Sequence, residues 1–262
     1  MSLVSLCITS YNRYLKLSNC IESFLKTNVY EPNNLEVVIV DNGSTDEETI
    51  NYINDLELPV REVKKVLNKV NKYPYCLRIA KNQAREIAAG DYFIDCPDDH
   101  LFVLKDDWIN KTIDYFNKEK DKVSCSCHYA YPAYRFKKKN NLMKKSQIND
   151  DFYVSEFKGY SDYHFIPRNN YIDIGKDRED LGWEPNSEHE YQERAYSMGY
   201  RRALHKYPAS IINGHTDADP VFKLVEPISE QEYKKNFSHL QRPCSLEEVV
   251  SHLKENSKVE QI

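Results

Sequence analysis

Glycine is scarce in this chain, with seven in 262 residues. There is no GxGxxG and no GxxxxGK followed by Ser or Thr, so a glycine-rich loop is excluded as the means of cradling a nucleotide phosphate. If nucleotide phosphates bind here, another group must neutralise them, and a divalent cation held by carboxylates is the substitute. Long apolar runs are missing: none approaches the roughly 18 residues needed to cross a bilayer. The opening residues, MSLVSLCITSYNR, carry neither the basic region nor the cleavage site of a secretory leader. An excess of basic charge is also missing. The formal net charge of -5 removes bulk attraction for nucleic acid. Seven cysteines are an odd number without framework spacing, which points to free thiols in a reducing, cytoplasmic setting. Cys125, Cys127 and His128 are spaced too closely for the usual zinc pairings, and on a strand the two cysteines share one face.

What is present suits one large domain with a real core. Four apolar runs come early: VSLCIT (4–9), LEVVIV (35–40), the weaker VREVKKV (60–66) and DYFIDC (91–96). Helical spacing lies between them, in Leu17, Ile21, Phe24 and Leu25 and again in Ala80, Ala84, Ile87 and Ala88. Alternating strand and helix predict an α/β fold whose parallel sheet binds ligands at the C-terminal strand ends. Gly90 is placed as the C′ residue of the third helix. From about residue 104 the pattern reads as irregular. FKKKNNLMKKS (136–146) is a solvated loop, a lid or an acceptor-recognition segment. Strand-like and turn signals return at 160–175, a helix is predicted around 187–199, and Leu246, Val249, Val250 and Leu253 predict a tail helix docked on the body or on a partner. The chain divides into a half spanning 1–103, a second half of the same domain at 104–224, and a helical tail at 225–262.

Three predicted strands end in chemically loaded turns. The first ends in Thr9, Ser10, Tyr11, Asn12 and Arg13; the second in Asp41, Asn42, Gly43, Ser44, Thr45 and Asp46; the fourth in Pro97, Asp98, Asp99 and His100. Alone, each turn is explained by ordinary capping and turn chemistry. On one edge of a parallel sheet they form a polar crevice. Two adjacent carboxylates there are costly unless paired or bound to a cation.

CITSYNR, VVIVDNGSTD and NQAREIAAGDYFIDCPDDH resemble the three N-terminal signatures of GT-A glycosyltransferases of the family 2 type. FIPRNNYIDIGKDRED (165–180) is similar to that family's acceptor-side segment, and SEHEYQERAYSMGY (187–200) to its EDxELxxRxxxxG helix. The matches keep the family's order over roughly residues 3 to 200. The resemblance implies a GT-A fold: a Rossmann-like, mostly parallel central sheet flanked by helices, with a nucleotide-sugar half, an acceptor-binding half and a helical tail. It places Thr9 and Tyr11 at the base and ribose, Asp41 on the base, Arg78 and Asn82 on the donor side, and Asp98 against the ribose or sugar. Asp99 would hold Mn²⁺ or Mg²⁺ across the diphosphate, with His215 as a further metal ligand and His205 as the second choice. Glu188 falls at the catalytic base, with Glu190 and Glu184 as rivals. Arg194 and Gly199 match the family helix in packing and termination roles.

The implied activity is metal-dependent transfer of a sugar, from a UDP-sugar in preference, to an acceptor hydroxyl with inversion. Partners would be the nucleotide-sugar donor and a glycan, lipid-linked or protein acceptor, without nucleic acid; the tail leaves room for a homodimer, and a lipid-linked acceptor for peripheral membrane attachment. Two features depart from the family pattern: Pro97 stands where many members have an acid, and Ser187-Glu188 replaces Glu-Asp. Ser187 favours an alternative, a non-catalytic glycan- or protein-binding module on the same scaffold. A sugar nucleotidyltransferase would need a glycine-rich loop after the first strand, where TSYNR stands. Asn42-Gly43-Ser44 is formally a glycan acceptor, but a glycan there would block the base pocket.

Overall fold

The computed structural model describes residues 1–74, 76–119, 123–127, 146–147, 152–155, 164–181, 187–205, 209–214, 220–237 and 246–262. Strand β1 (Val4–Ser10) and strand β2 (Leu35–Asp41) are buried at every position. Their continuous apolar runs are those of parallel strands covered by helices on both faces. Helix α1 (Tyr14–Thr27) follows β1, and α2 (Glu47–Asp55) follows β2. The N-cap of α2 is Asp46, whose carboxylate accepts the Thr49 amide at 2.9 Å. Strand β3 (Glu62–Leu67), helix α3 (Cys76–Ile87) and strand β4 (Tyr92–Pro97) complete this half. The order β3-β2-β1-β4 is parallel throughout. The chain winds one way from β1 to β2 and β3, then returns to place β4 on the other side of β1. The crevice where such a sheet reverses direction is its natural ligand site.

The sheet then continues through β10 (His164–Pro167), β7 (Val123–Cys127), β11 (Arg201–His205), β9 (Phe152–Ser155) and β8 (Ser146–Gln147). β10 runs antiparallel to β4 and β7, β11 parallel to β7, and β9 antiparallel to β11. Between β4 and β7 lie β5 (His100–Phe102), β6 (Leu104–Lys105) and α4 (Trp108–Lys118). Helices α5 (Arg168–Ile174) and α6 (Ser187–Ser197) separate β10 from β11. The remaining elements are β12 (Ser210–Ile212), β13 (Phe222–Leu224), β14 (Ile228–Ser229), α7 (Glu230–Phe237), α8 (Leu246–Glu255) and β15 (Val259–Gln261). The predicted mixed α/β architecture, a central sheet flanked by helices, is present. No helix among the described residues is long and apolar enough to cross a membrane.

Strand periodicity sorts the core. Val4, Leu6 and Ile8 face α1 and α4, packing with Leu17, Ile21, Phe24 and Trp108. Cys7 and Phe93 face the other way, with Ala80 and Ala84 of α3 and Ala88 just beyond it. A third cluster joins Leu101, Val103 and Ile211 to Ile228, Phe237, Val249 and Leu253. The apolar face of α8 is therefore used inside the chain, because Val249 and Leu253 are fully buried.

Three local expectations change. Helix α4 falls in the stretch read as irregular, although Trp108, Ile109, Thr112, Ile113 and Phe116 recur at helical spacing and are buried. Within the 160–175 stretch, the described residues from 164 form a short strand followed by a helix. Gly90 does not adopt a left-handed C′ conformation. It is needed for close approach, since a Cβ there would lie 2.5 Å from the Ser5 hydroxyl and 2.7 Å from the Ser5 amide nitrogen.

Buried charge sits beneath α3. Arg85 Nε donates to Asp95 at 3.0 Å, its Nη2 also bonds that carboxylate, and Nη1 reaches Asp177 at 2.5 Å. Burial disfavours the charge on Arg85, but Asp95 and Asp177 more than offset it and raise its pKa. Burial also pushes the Asp177 carboxyl up; Arg85, Arg78 and Lys81 outweigh that and hold it at about 2. Arg85→Leu strands two buried carboxylates. The expected loss is about 3–5 kcal/mol, read by urea unfolding at neutral pH; a loss below 1 kcal/mol would show that the network contributes little.

Candidate active site

Strand register brings the three turns level. Ser10 pairs with Asp41 across β1 and β2, and Thr9 with Pro97 across β1 and β4. Asn12, with a left-handed φ of 50°, joins the first two turns. Its side-chain oxygen accepts the Thr45 amide at 2.8 Å and the Asp46 amide at 3.0 Å, while its backbone amide donates to the Ser44 hydroxyl at 2.8 Å. Asp41 accepts the amides of Gly43 at 3.0 Å and Ser44 at 2.8 Å, and the Ser44 hydroxyl. Its buried carboxylate thus shapes its own loop. That loop lies against the chain at 70–71: a Cβ on Gly43, whose φ is +85°, would stand 2.6 Å from Asn71 N and Val70 C. Thr9 and Asn42 are buried, so the formal glycan acceptor is enclosed in the turn, whereas Tyr11 is 40% exposed and lies open at the rim.

The acid pair lies one strand over. Ser10 Oγ donates to Asp98 at 2.7 Å, and Arg13 Nη1 lies 3.3 Å from Asp98 and 3.9 Å from Asp99. Burial, then repulsion from Asp99, pushes the Asp98 carboxyl up to about 6 despite Arg13 and Ser10. Two buried carboxylates thus stand beside one part-exposed guanidinium. As hard oxygen donors, they fit a divalent cation. No group of three metal-ligating side chains occurs among the described residues, so other oxygens or nitrogens must complete any such site. The Asn213 amide donates to the Asp99 carbonyl at 2.6 Å, which brings residues 213–214 to the acid pair. His215 itself lies outside the described residues. His205 is buried on β11, three strands from β4 and hence about 14 Å across the sheet, too far to share an ion with Asp99. His100 is buried with its Nδ1 2.9 Å from Ser210 Oγ and is held within the β5–β12 pair.

Arg78 and Asn82 come together on α3 but turn toward the loop after α5. Arg78 Nη1 lies 3.4 Å from Asp177, and Asn82 donates to the Asp177 carbonyl and to Glu179, each at 2.9 Å, while accepting the Asp177 amide at 3.1 Å. Glu188 is in the first turn of α6, its side chain outside the described set, as is all of Glu184. Arg194 anchors that helix, donating to Ile174 O at 2.6 Å, Lys176 O at 2.7 Å and Glu190 at 2.9 Å. Glu190 is thereby engaged in a helix-anchoring pair. Gly199, at φ +94°, ends the turn after α6, with the Tyr200 amide donating to Ala195 O at 3.0 Å.

The functional residues that sequence reasoning left without roles are Ser10, Asn12, Arg13, Asp177 and Asn213. The first three stood in the quoted SYNR turn. Asp177 and Asn213 carried no local signal, because their partners are distant in sequence. Gly43→Ala is expected to lower the melting temperature, since backbone at 70–71 must move. Thermal unfolding would read it; an unchanged melting temperature would show that the turn does not depend on this close approach.

By sequence, the chain matches the model of the family described as Glycosyl transferase family 2 over residues 5–177. Compared with curated proteins, it matches none. Among solved structures it is similar to the mannosyltransferase PcManGT from Pyrobaculum calidifontis, in complex with GDP-Man and Mn²⁺, at 16% identity and a TM-score of 0.61, covering 80% of this chain and 56% of that one. It is similar to S. aureus TarS at 14% identity and a TM-score of 0.62, covering 80% and 36%. It is likewise similar to TarS 1–349 in complex with UDP, at 14% and 0.60, covering 80% and 60%. The chain thus spans a third to three fifths of the length of these structures. The family match covers well over half of the chain, the similar structures share its fold, and the chain therefore belongs to the family 2 glycosyltransferases, built on the GT-A fold.

Proposed function

We propose that the chain transfers a sugar from a nucleotide-diphosphate donor, a UDP-sugar in preference, to an acceptor hydroxyl with inversion. The observation that carries this reading is the buried Asp98–Asp99 pair at the sheet's reversal point, level with the Asp41 turn. Thr9 and Tyr11 line the base and ribose, and the Asp41 turn receives the base. Asp98 faces the ribose or sugar. Arg78 and Asn82 hold the 177–179 segment against the donor side. Asp99 and His215 would hold Mn²⁺ or Mg²⁺; the Asn213–Asp99 bond supports that pairing by bringing residue 214 to the acid pair. A cation held there supplies Lewis-acid stabilisation to the departing diphosphate.

Glu188 takes the acceptor proton as the hydroxyl attacks. The engagement of Glu190 with Arg194 supports Glu188 as the base, because it fixes α6 and occupies the rival acid. The acceptor enters from the 104–224 half. Of the similar structures, one contains GDP-Man with Mn²⁺ and another contains UDP, which supports a nucleotide-sugar donor.

Calorimetry should show UDP binding that needs Mn²⁺, exceeds GDP binding and falls at least tenfold in Asp99→Asn. A GDP preference would keep the reaction class and overturn the base-pocket reading; absence of binding by both would move the weight to a non-catalytic module. The product's anomeric configuration tests the displacement: inversion is expected, and retention would remove Glu188 as the base of a single step.

A further inference from the structure

Arg13 follows the Asn12 turn directly and stands at the N-cap of α1, where its side chain makes no capping bond. Its guanidinium reaches the acid pair instead. Nη1 lies 3.3 Å from Oδ1 of Asp98 and 3.9 Å from Oδ2 of Asp99. That one nitrogen makes both contacts: among the described residues, Nε and Nη2 have no hydrogen-bond or ion-pair partner. The three side chains also differ in exposure. Those of Asp98 and Asp99 are 5% and 8% exposed, and that of Arg13 is 33% exposed.

The acids are the fixed part of this contact. They sit just past the end of β4, a buried strand, and Oδ2 of Asp98 accepts the Ser10 hydroxyl at 2.7 Å. Oδ1 of Asp98 is the oxygen that Arg13 holds. A divalent cation drawn to these carboxylates arrives where a positive group already stands, and two cations a few ångströms apart repel. Arg13 is able to yield, because a long side chain at the rim gives up a contact made by a single nitrogen. It also has a destination. It lies between the Asp41 turn, whose loop is bonded by its neighbour Asn12, and the acid pair. With the base at one and a cation at the other, the diphosphate between them passes Arg13. The unused Nε and Nη2 edge is the planar fork that two phosphate oxygens accept together.

Resting on the glycosyltransferase reading, we propose that Arg13 is an exchangeable counter-ion: it pairs with Asp98 and Asp99 in the ligand-free protein and turns to the diphosphate of the donor when a divalent cation takes those carboxylates. The exchange couples the two ligands. The cation frees the guanidinium for the diphosphate, and the diphosphate draws it off the acids, so each ligand tightens the other by the same factor. Removing the guanidinium therefore acts in opposite directions. The acids become easier for a cation to reach, and the diphosphate loses a partner.

Calorimetry near pH 8, well above the Asp98 pKa of about 6, tests this with wild type, Arg13→Met and Arg13→Lys. One arm titrates Mn²⁺ alone, and the other titrates UDP into protein saturated with Mn²⁺. Arg13→Met is expected to bind Mn²⁺ alone at least threefold more tightly than wild type and UDP at least tenfold more weakly. Arg13→Lys, which keeps the charge without the fork, should return Mn²⁺ binding to within twofold of wild type and recover part of the UDP binding. A merely structural role would weaken both ligands together. Mn²⁺ binding that is unchanged or weaker in Arg13→Met, or UDP binding that stays within twofold of wild type, would overturn the proposal. If Arg13→Met does not fold, Arg13→Gln carries the same test, since it keeps an N–H for Asp98 and removes the charge. Failure of UDP and GDP alike to bind wild type in Mn²⁺ would instead overturn the donor reading, and this inference with it.

Discussion

The guanidinium of Arg85 bonds Asp95 on β4 and Asp177 beyond α5, and the arrangement of the two halves depends on that bridge. Asp95 belongs to the strand that ends in the acid pair. Asp177 belongs to the segment that leads from α5 toward α6. Arg78 and Asn82 add their bonds to the same segment, and Arg194 ties α6 to the chain just before it. The helix carrying Glu188 is thus indexed, through a short chain of charge-assisted bonds, to the strand carrying Asp98 and Asp99. Such a network specifies position at a desolvation cost that only full pairing offsets. The small face of α3, Ala80, Ala84 and Ala88, brings the helix close enough to the sheet for Arg85 to reach both acids.

Above that bridge the crevice is assembled from backbone geometry. Asn12 and Asp41 spend their side chains on amides of the two adjoining turns, and Gly43 lets those turns lie against residues 70–71. The result is a rigid rim with few groups free to move. Asp98 and Asp99 are the exception. Burial and repulsion from Asp99 raise the Asp98 carboxyl, and Arg13 and Ser10 offset part of that shift.

The tail is part of the body. Val249 and Leu253 close a third apolar cluster over β5 and β12, the strands that flank the acid pair and Asn213. Burying them stabilises the platform from which the Asn213 amide reaches the Asp99 carbonyl.

Much of this was legible in the sequence because it is local. The β1, β2 and β4 runs are continuous and apolar, the helix spacings are regular, and TSYN, DNGSTD and PDDH each announce a strand end. Periodicity alone was enough to imply a parallel sheet and a polar crevice. Helix α4 was equally local and was passed over. What only the tertiary structure decided involves partners far apart in the chain: Arg85 with Asp177, Asn213 with Asp99, and Arg194 with the Ile174 carbonyl. Gly90 shows the same limit, since a helix cap and a close approach to Ser5 call for the same residue and differ only in what stands opposite. Residue identity sets which groups can bond or carry charge. Whether a charge such as that of Arg85 finds its partners depends on distances set by packing, and those arise only when the sheet and helices close on one another.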